Sequence, residues 1–299
     1  MISRRALLIG VPFLWLVVFF AAPLLVAFRI SLSQATTAIP PYLPVLVPGG
    51  GWEGVKAFLS QLNFDNYRFL ASDDLYWKAY LSSLGVAFRA TVLTLLVGYP
   101  IAYGIARAPR RWRKILMMAV ILPFWTSFLI RIYAWIGILS NEGILNQILM
   151  GLGLTDQPIH MLNTPFAIYL GITYAYLPLM VLPLYATLDR LDGSLIEAAQ
   201  DLGCSRAKAF WLVTLPMSRW GIVAGCFLVF IPAIGEYVIP SLLGGSSTLM
   251  IGRVLFDEFF TNQDWPVASA VAVLLLAVVI LPIALFQKVQ DRLHAEDKP

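Results

Sequence analysis

The 299-residue sequence predicts an all-α membrane protein built from six transmembrane helices, and three observations predict it. Hydrophobic residues make up 59% of the chain and charged residues only 13%, where a soluble domain carries about a quarter charged. The mean hydropathy is +0.78. The apolar residues are also blocked into runs of about the 20 residues that a bilayer span needs.

The six runs are residues 7–28, 82–106, 115–139, 165–188, 218–242 and 266–286. The first follows Arg4-Arg5, as a signal peptide would, but it is long enough to span. Ala21 and Ala22 lead into Pro23 and further apolar sequence instead of a polar mature domain, so we read it as an uncleaved span. The later runs contain Pro123, Pro178, Pro183, Pro232, Pro240 and Pro282. Membrane helices tolerate proline where neighbours satisfy the freed backbone groups. Kinked helices around a pathway and ordinary membrane-helix irregularity are both consistent with them.

Orientation follows from Lys and Arg in the short loops. One set of alternate segments is basic: Arg4 and Arg5; Arg107, Arg110, Arg111, Arg113 and Lys114; Arg190, Arg206, Lys208 and Arg219; Lys288, Arg292 and Lys298. The opposite set holds Arg29, Lys56, Arg68 and Lys78 in a long first loop, and then only Arg253. Six spans place the basic set on one face, with both termini cytoplasmic. The net charge of +4 then serves topology and is no argument for nucleic acid.

The chain divides into an N-terminal span with an extracytoplasmic segment (1–81), a core (82–288) containing loop 189–217, and a tail (289–299). Segment 29–81, with Pro40, Pro41, Pro44, Pro48, Gly49, Gly50, Gly51 and Trp52, predicts turns and short helices at the outer surface. Cys204 and Cys226 have no metal-ligand spacing, and His160 and His294 lie far from both. No metal site is expected.

Loop 189–217 predicts two short helices. Ser194 followed by Glu197 reads as a capping box, so a helix starts near Leu195. Leu195, Ile196, Ala199 and Leu202 then form one apolar stripe. Gly203 ends the helix in a left-handed conformation, and Ser205 caps a second helix that runs to Pro216. An apolar stripe in a polar loop either fills a partner's groove or packs on its own bundle.

The motif Glu197-Ala198-Ala199-Gln200-Asp201-Leu202-Gly203, then nine residues, then Val213-Thr214-Leu215-Pro216, resembles the EAA loop of type I ABC importer permeases. The resemblance implies a MetI-like bundle in a bacterial inner membrane. In that family this loop is the coupling helix that docks on a cytosolic ABC ATPase. Glu197, Ala198, Ala199, Asp201 and Gly203 are the positions carried over. Four further stretches, residues 122–135, 231–240, 250–255 and 264–268, resemble permeases of bacterial polyamine importers, putrescine type foremost and spermidine next. The implied partners are an ATPase dimer, a second homologous permease, a periplasmic polyamine-binding protein and the lipid bilayer, with no nucleic acid. No G-x-x-x-x-G-K-[ST] occurs in the chain, so ATP and Mg bind the partner ATPase, and this chain needs no cofactor and is no enzyme.

A diamine path calls for carboxylates and aromatic faces. Glu236 is the one acidic residue inside a predicted span, hence a functional candidate. Its competing role is an internal ion pair with Arg131 or, less deeply, Arg89. Trp125, Tyr133, Tyr174 and Tyr237 are the aromatic candidates, against the ordinary role of membrane aromatics in packing and interfacial anchoring. The outer Asp257, Glu258 and Asp264 meet either a binding protein or only solvent. The alternatives are an importer permease for another small cationic solute or an ion-coupled secondary transporter. The latter would show repeats and several intramembrane carboxylates. A membrane-embedded enzyme would need a nucleophile or metal constellation in the spans.

Overall fold

The computed structural model describes residues 4–45, 51–245 and 248–296. Pro48, Gly49 and Gly50 of the turn-rich segment and Lys298 of the tail lie outside them. Among the described residues the regular structure is helical, apart from a two-stranded antiparallel pairing of Gln34–Ala35 with Tyr42–Leu43. Four helical stretches, Leu8–Ser31, Asp74–Arg107, Phe128–Gly151 and Pro165–Leu188, are long and apolar enough to cross a membrane. The pair Arg206–Met217 and Arg219–Ile234, bent by 63°, meets the same test only when its two halves are taken together.

All six predicted runs fall on helical segments, but two are not continuous helices, for local reasons. The run 115–139 is helix Arg110–Ile121, a tight 3-10 turn Leu122–Trp125, and helix Phe128–Leu139. Pro123 offers no N–H and its ring obstructs the preceding turn. Its own carbonyl is taken by the Thr126 N–H at 3.2 Å and the Thr126 hydroxyl at 2.8 Å. The run 218–242 stops at Ile234 and restarts as Val238–Leu243. By contrast, helix Pro165–Leu188 matches its prediction end to end, because Thr164 caps it and Pro165 opens its first turn. Thr91 and Thr94 on helix Asp74–Arg107 return their hydroxyls to carbonyls one turn back, which keeps buried polar groups satisfied.

The chain forms two compact units, residues 79–253 and residues 1–78 with 254–299. In the larger unit, helix Arg219–Ile234 runs along helix Pro165–Leu188. Gly221 and Gly225, one turn apart, permit the close approach. A Cβ at Gly221 would lie 2.6 Å from Thr187 Oγ1 and 3.0 Å from the Pro183 carbonyl. One at Gly225 would lie 2.6 Å from Met180 Sδ. Membrane helices associate through such small-residue faces, because lipid supplies no hydrophobic drive between them. The core beneath comprises Tyr99, Ala102, Ile105, Met180, Val181, Leu184 and Val229.

In the other unit, helix Trp265–Glu296 packs on Ala22–Ser31 and on Asp65–Ser72. Segment 29–81 contains the hairpin and short helices Gly51–Ser60 and Asp65–Ser72, the predicted kind of structure. Asn66 Nδ2 donates to the carbonyls of Ser31 and Ser33, both at 2.8 Å, and fixes the end of the first helix.

Candidate functional site: the loop 189–217 and the break at Glu236

Two local constructions stand out in the larger unit. The first is the loop after helix Pro165–Leu188. Its first helix is Gly193–Asp201, and its cap is Asp192, not Ser194. Asp192 Oδ1 accepts from the Ser194 N–H at 3.0 Å, and that N–H, then the Ser194 side chain, holds the Asp192 carboxyl below its ordinary pKa. The helix therefore begins before Leu195, with Ser194 inside its first turn. A charged cap also complements the positive end of the helix dipole better than a hydroxyl does.

The far end follows the sequence. Gly203 has φ +86°. The Cys204 N–H donates to the Ala199 carbonyl at 3.0 Å and the Gly203 N–H to the Gln200 carbonyl at 2.8 Å. This paired arrangement is a Schellman cap. Ser205 then accepts from the Lys208 N–H at 3.3 Å and starts the second helix, as expected. That second element runs through a π-helical turn, Phe210–Thr214, past Pro216 to Met217, and the chain bends at Ser218.

The stripe read from sequence divides between two faces. Ile196 and Ala199 are half-buried, while Leu195, Ala198 and Leu202 are exposed, Leu202 at 87%. Glu197 and Asp201 are exposed beside them. The root of the loop is tied down: Arg113 Nη1 donates to Asp189, and Arg113 Nε donates to the Ala108 carbonyl at 2.8 Å.

The second construction is the break between Ile234 and Val238. Glu236 is 8% exposed there. Its Oε1 accepts from the N–H groups of Val238, at 3.0 Å, and Ile239, at 3.4 Å, so it caps the second half-helix. Its Oε2 accepts from the Tyr176 hydroxyl. Three donors thus converge on one buried carboxylate.

The ion-pair candidates have other partners in this conformation. The Arg131 guanidinium lies 5.4 Å from the Phe124 ring centroid and 5.7 Å from that of Phe128, and Arg89 Nη1 donates to Tyr169 at 2.9 Å. Among the aromatic candidates, Tyr237 adjoins Glu236 and is half-buried. Tyr174 meets Trp135 edge-on at 5.4 Å and lines an apolar cavity of about 470 Å³ between helices Asp74–Arg107, Arg110–Ile121 and Pro165–Leu188. Trp125 and Tyr133 are exposed, at 71% and 58%. No group of three potential metal ligands occurs among the described residues. The outer Glu258 is engaged on both oxygens, by Tyr76 at 2.8 Å and Asn262 at 2.9 Å.

Sequence reasoning missed the Tyr176–Glu236 contact, which joins residues 60 positions apart. It also missed the Gly221/Gly225 face, although the four-residue spacing of those glycines was a readable signal.

The family model described as binding-protein-dependent transport system inner membrane component matches residues 95–294. The spermidine/putrescine transport system permease protein PotB of Salmonella typhimurium (strain SL1344) is 41% identical over 230 residues, covering 77% of this chain and 80% of that one. PotB of Haemophilus influenzae is 35% identical over 286 residues, 96% of this chain and 94% of that one. In fold, the chain is similar to a chain in the crystal structure of a bacterial ABC transporter involved in the import of the acidic polysaccharide alginate. The TM-score is 0.64 at 18% identity, over 97% of this chain and 96% of that one. With the family model covering residues 95–294 and these relatives over most of its length, the chain belongs to the binding-protein-dependent transport system inner membrane components, as a permease subunit of an ABC importer.

Proposed function

We propose that this permease forms half of a path carrying a polyamine into the cytoplasm, putrescine foremost or spermidine, and that helix Gly193–Asp201 is where a separate ATPase delivers its work. The observation that carries the coupling role is the outward stripe of Leu195, Ala198 and Leu202 on a helix capped at both ends. A preformed helix with an uncovered apolar face suits a hydrophobic groove. Glu197, Ala198, Ala199, Asp201 and Gly203 would lie at that contact.

A second homologous permease supplies the other half of the path, an ATPase dimer binds ATP and Mg, and a periplasmic protein delivers the cation. Both termini face the cytoplasm, in keeping with the basic loops. Within the path, Glu236 is the carboxylate suited to an ammonium group, with Tyr174 and Tyr237, and more peripherally Trp125 and Tyr133, as ring partners. The polyamine assignment is supported by relatives at 35–41% identity that are spermidine/putrescine permeases.

The test is a ligand screen on the cognate periplasmic receptor, paired with uptake by the reconstituted complex. Binding and uptake of putrescine or spermidine are expected. A receptor selective for another small cation would replace the polyamine while keeping the permease role, and one selective for an anion or sugar would overturn the assignment.

A further inference from the structure

The bend at Ser218 is the joint through which loop 189–217 connects to a membrane helix. Ser218 is fully buried and lies between the segment Arg206–Met217 and helix Arg219–Ile234, which meet at 63°. Its Oγ donates to the Leu215 carbonyl at 2.9 Å, within the loop's own last turn. A hydroxyl has one proton, so the 2.9 Å contact between Ser218 Oγ and Tyr99 Oη has Tyr99 as donor. Tyr99, 8% exposed, belongs to the long helix Asp74–Arg107.

The same helix grips the loop two turns further back. Phe210 sits edge-on to both Tyr99 and Tyr103, with centroids 5.8 and 5.6 Å away. Ala209 and Thr214 complete this inner face, each 1% exposed, while Trp211 and Leu212 on the outer face are exposed at 64% and 66%. The segment Phe210–Thr214 is π-helical, and such single turns recur at functional positions. The inner face (209, 210, 214, 218) runs through that wider turn.

We infer that Tyr99 and Ser218 are positioning residues for transport: their hydrogen bond, backed by Phe210 between Tyr99 and Tyr103, carries displacement of the coupling loop into helix Asp74–Arg107. The bond is directional and sheltered from water, whereas the outer face of the segment is uncommitted. Movement of the loop by an ATPase would turn the segment about Ser218, and helix Asp74–Arg107 would follow because the joint holds it there. This rests on the proposed coupling role of the loop.

The experiment measures polyamine uptake and ATP hydrolysis together, in proteoliposomes holding the complete complex with loaded binding protein. Tyr99→Phe and Ser218→Ala are each expected to lower uptake per ATP by about three- to tenfold, the scale of one hydrogen bond. The double variant should be no worse than either single, because all three remove the same bond. A wild-type complex that hydrolyses ATP without uptake, or that does not assemble with an ATPase, defeats the functional reading itself. A coupled wild-type complex with both single variants at the wild-type ratio overturns this inference alone. So does an additive double variant, or loss of assembly in either single, since a folding role would then account for the residues.

Discussion

Gly203→Ala isolates the backbone contribution of the loop. Gly203 holds φ +86°, and a Cβ built on it meets nothing within 4 Å. The substitution therefore introduces no clash with a neighbour, and its cost is that of placing an L side chain in the left-handed region, roughly 1–2 kcal/mol. That strain falls on the two capping bonds, Cys204 N–H to Ala199 and Gly203 N–H to Gln200. If docking requires the capped helix, the affinity of the ATPase for the detergent-solubilised permease drops up to about 5–30-fold. Gly203→Asn should sit between wild type and Ala, because Asn tolerates the left-handed region. Interferometry with the immobilised permease reads these affinities. Wild-type affinity for Gly203→Ala, or an Asn variant weaker than Ala, would refute the reasoning.

Three other perturbations have expected outcomes. Asp192 has a folded pKa held below its ordinary value, so its capping contribution is present above the unfolded pKa and is lost as pH falls through the folded one. Protection of the first-turn amides of helix Gly193–Asp201, taken relative to their intrinsic base-catalysed exchange rates at each pH, should fall on acidification, and Asp192→Asn, which still accepts through its amide oxygen, should remove that pH response; protection that stays constant in the wild type would contradict the cap. Gly221→Ala places a Cβ 2.9 Å from Thr187 Cβ and 3.0 Å from the Pro183 carbonyl, and overpacking of this kind costs about 1–3 kcal/mol. Its melting temperature in detergent should fall, with partial recovery on adding Thr187→Ala; an unaltered melting curve would mean that the helices are not in this contact. Glu236→Ala orphans the buried N–H groups of Val238 and Ile239, at about 1–3 kcal/mol each, and should lose assembly. Glu236→Gln keeps an acceptor for them, so it should assemble yet lose polyamine uptake; wild-type uptake would confine Glu236 to capping.

The apolar helices and the two short helices of the loop were legible because their signals are local. Apolar run length sets the helices, and residues 165–188 came out end to end because Thr164 and Pro165 are adjacent start signals. Gly203 and Ser205 were readable because each acts on its own backbone neighbours. Where two local signals competed, the reading from sequence took the wrong one. Leu191-Asp192-Gly193-Ser194 offers two capping residues, and the Glu197 spacing favoured Ser194, while the folded loop uses Asp192. The breaks at Pro123 and Glu236 show the other limit. Hydropathy averages over them, although each is a backbone event: a missing N–H in one, and a carboxylate capping a restarted helix in the other. The partner of Glu236 was beyond local reading altogether, because an ion pair with Arg131 and a hydrogen bond from Tyr176 look alike until helices Pro165–Leu188 and Arg219–Ile234 are packed.

The central claim is that this permease is powered through helix Gly193–Asp201 by a separate ATPase. Uptake by proteoliposomes containing the permeases and ATPase, with ATP sealed inside and loaded binding protein outside, tests it most directly. Polyamine accumulation is expected to require ATP and the ATPase and to be abolished when Glu197 and Leu202 are replaced together by Lys and Asp. Accumulation by the permease alone under an ion gradient, or undiminished ATP-driven uptake with that altered helix, would contradict it.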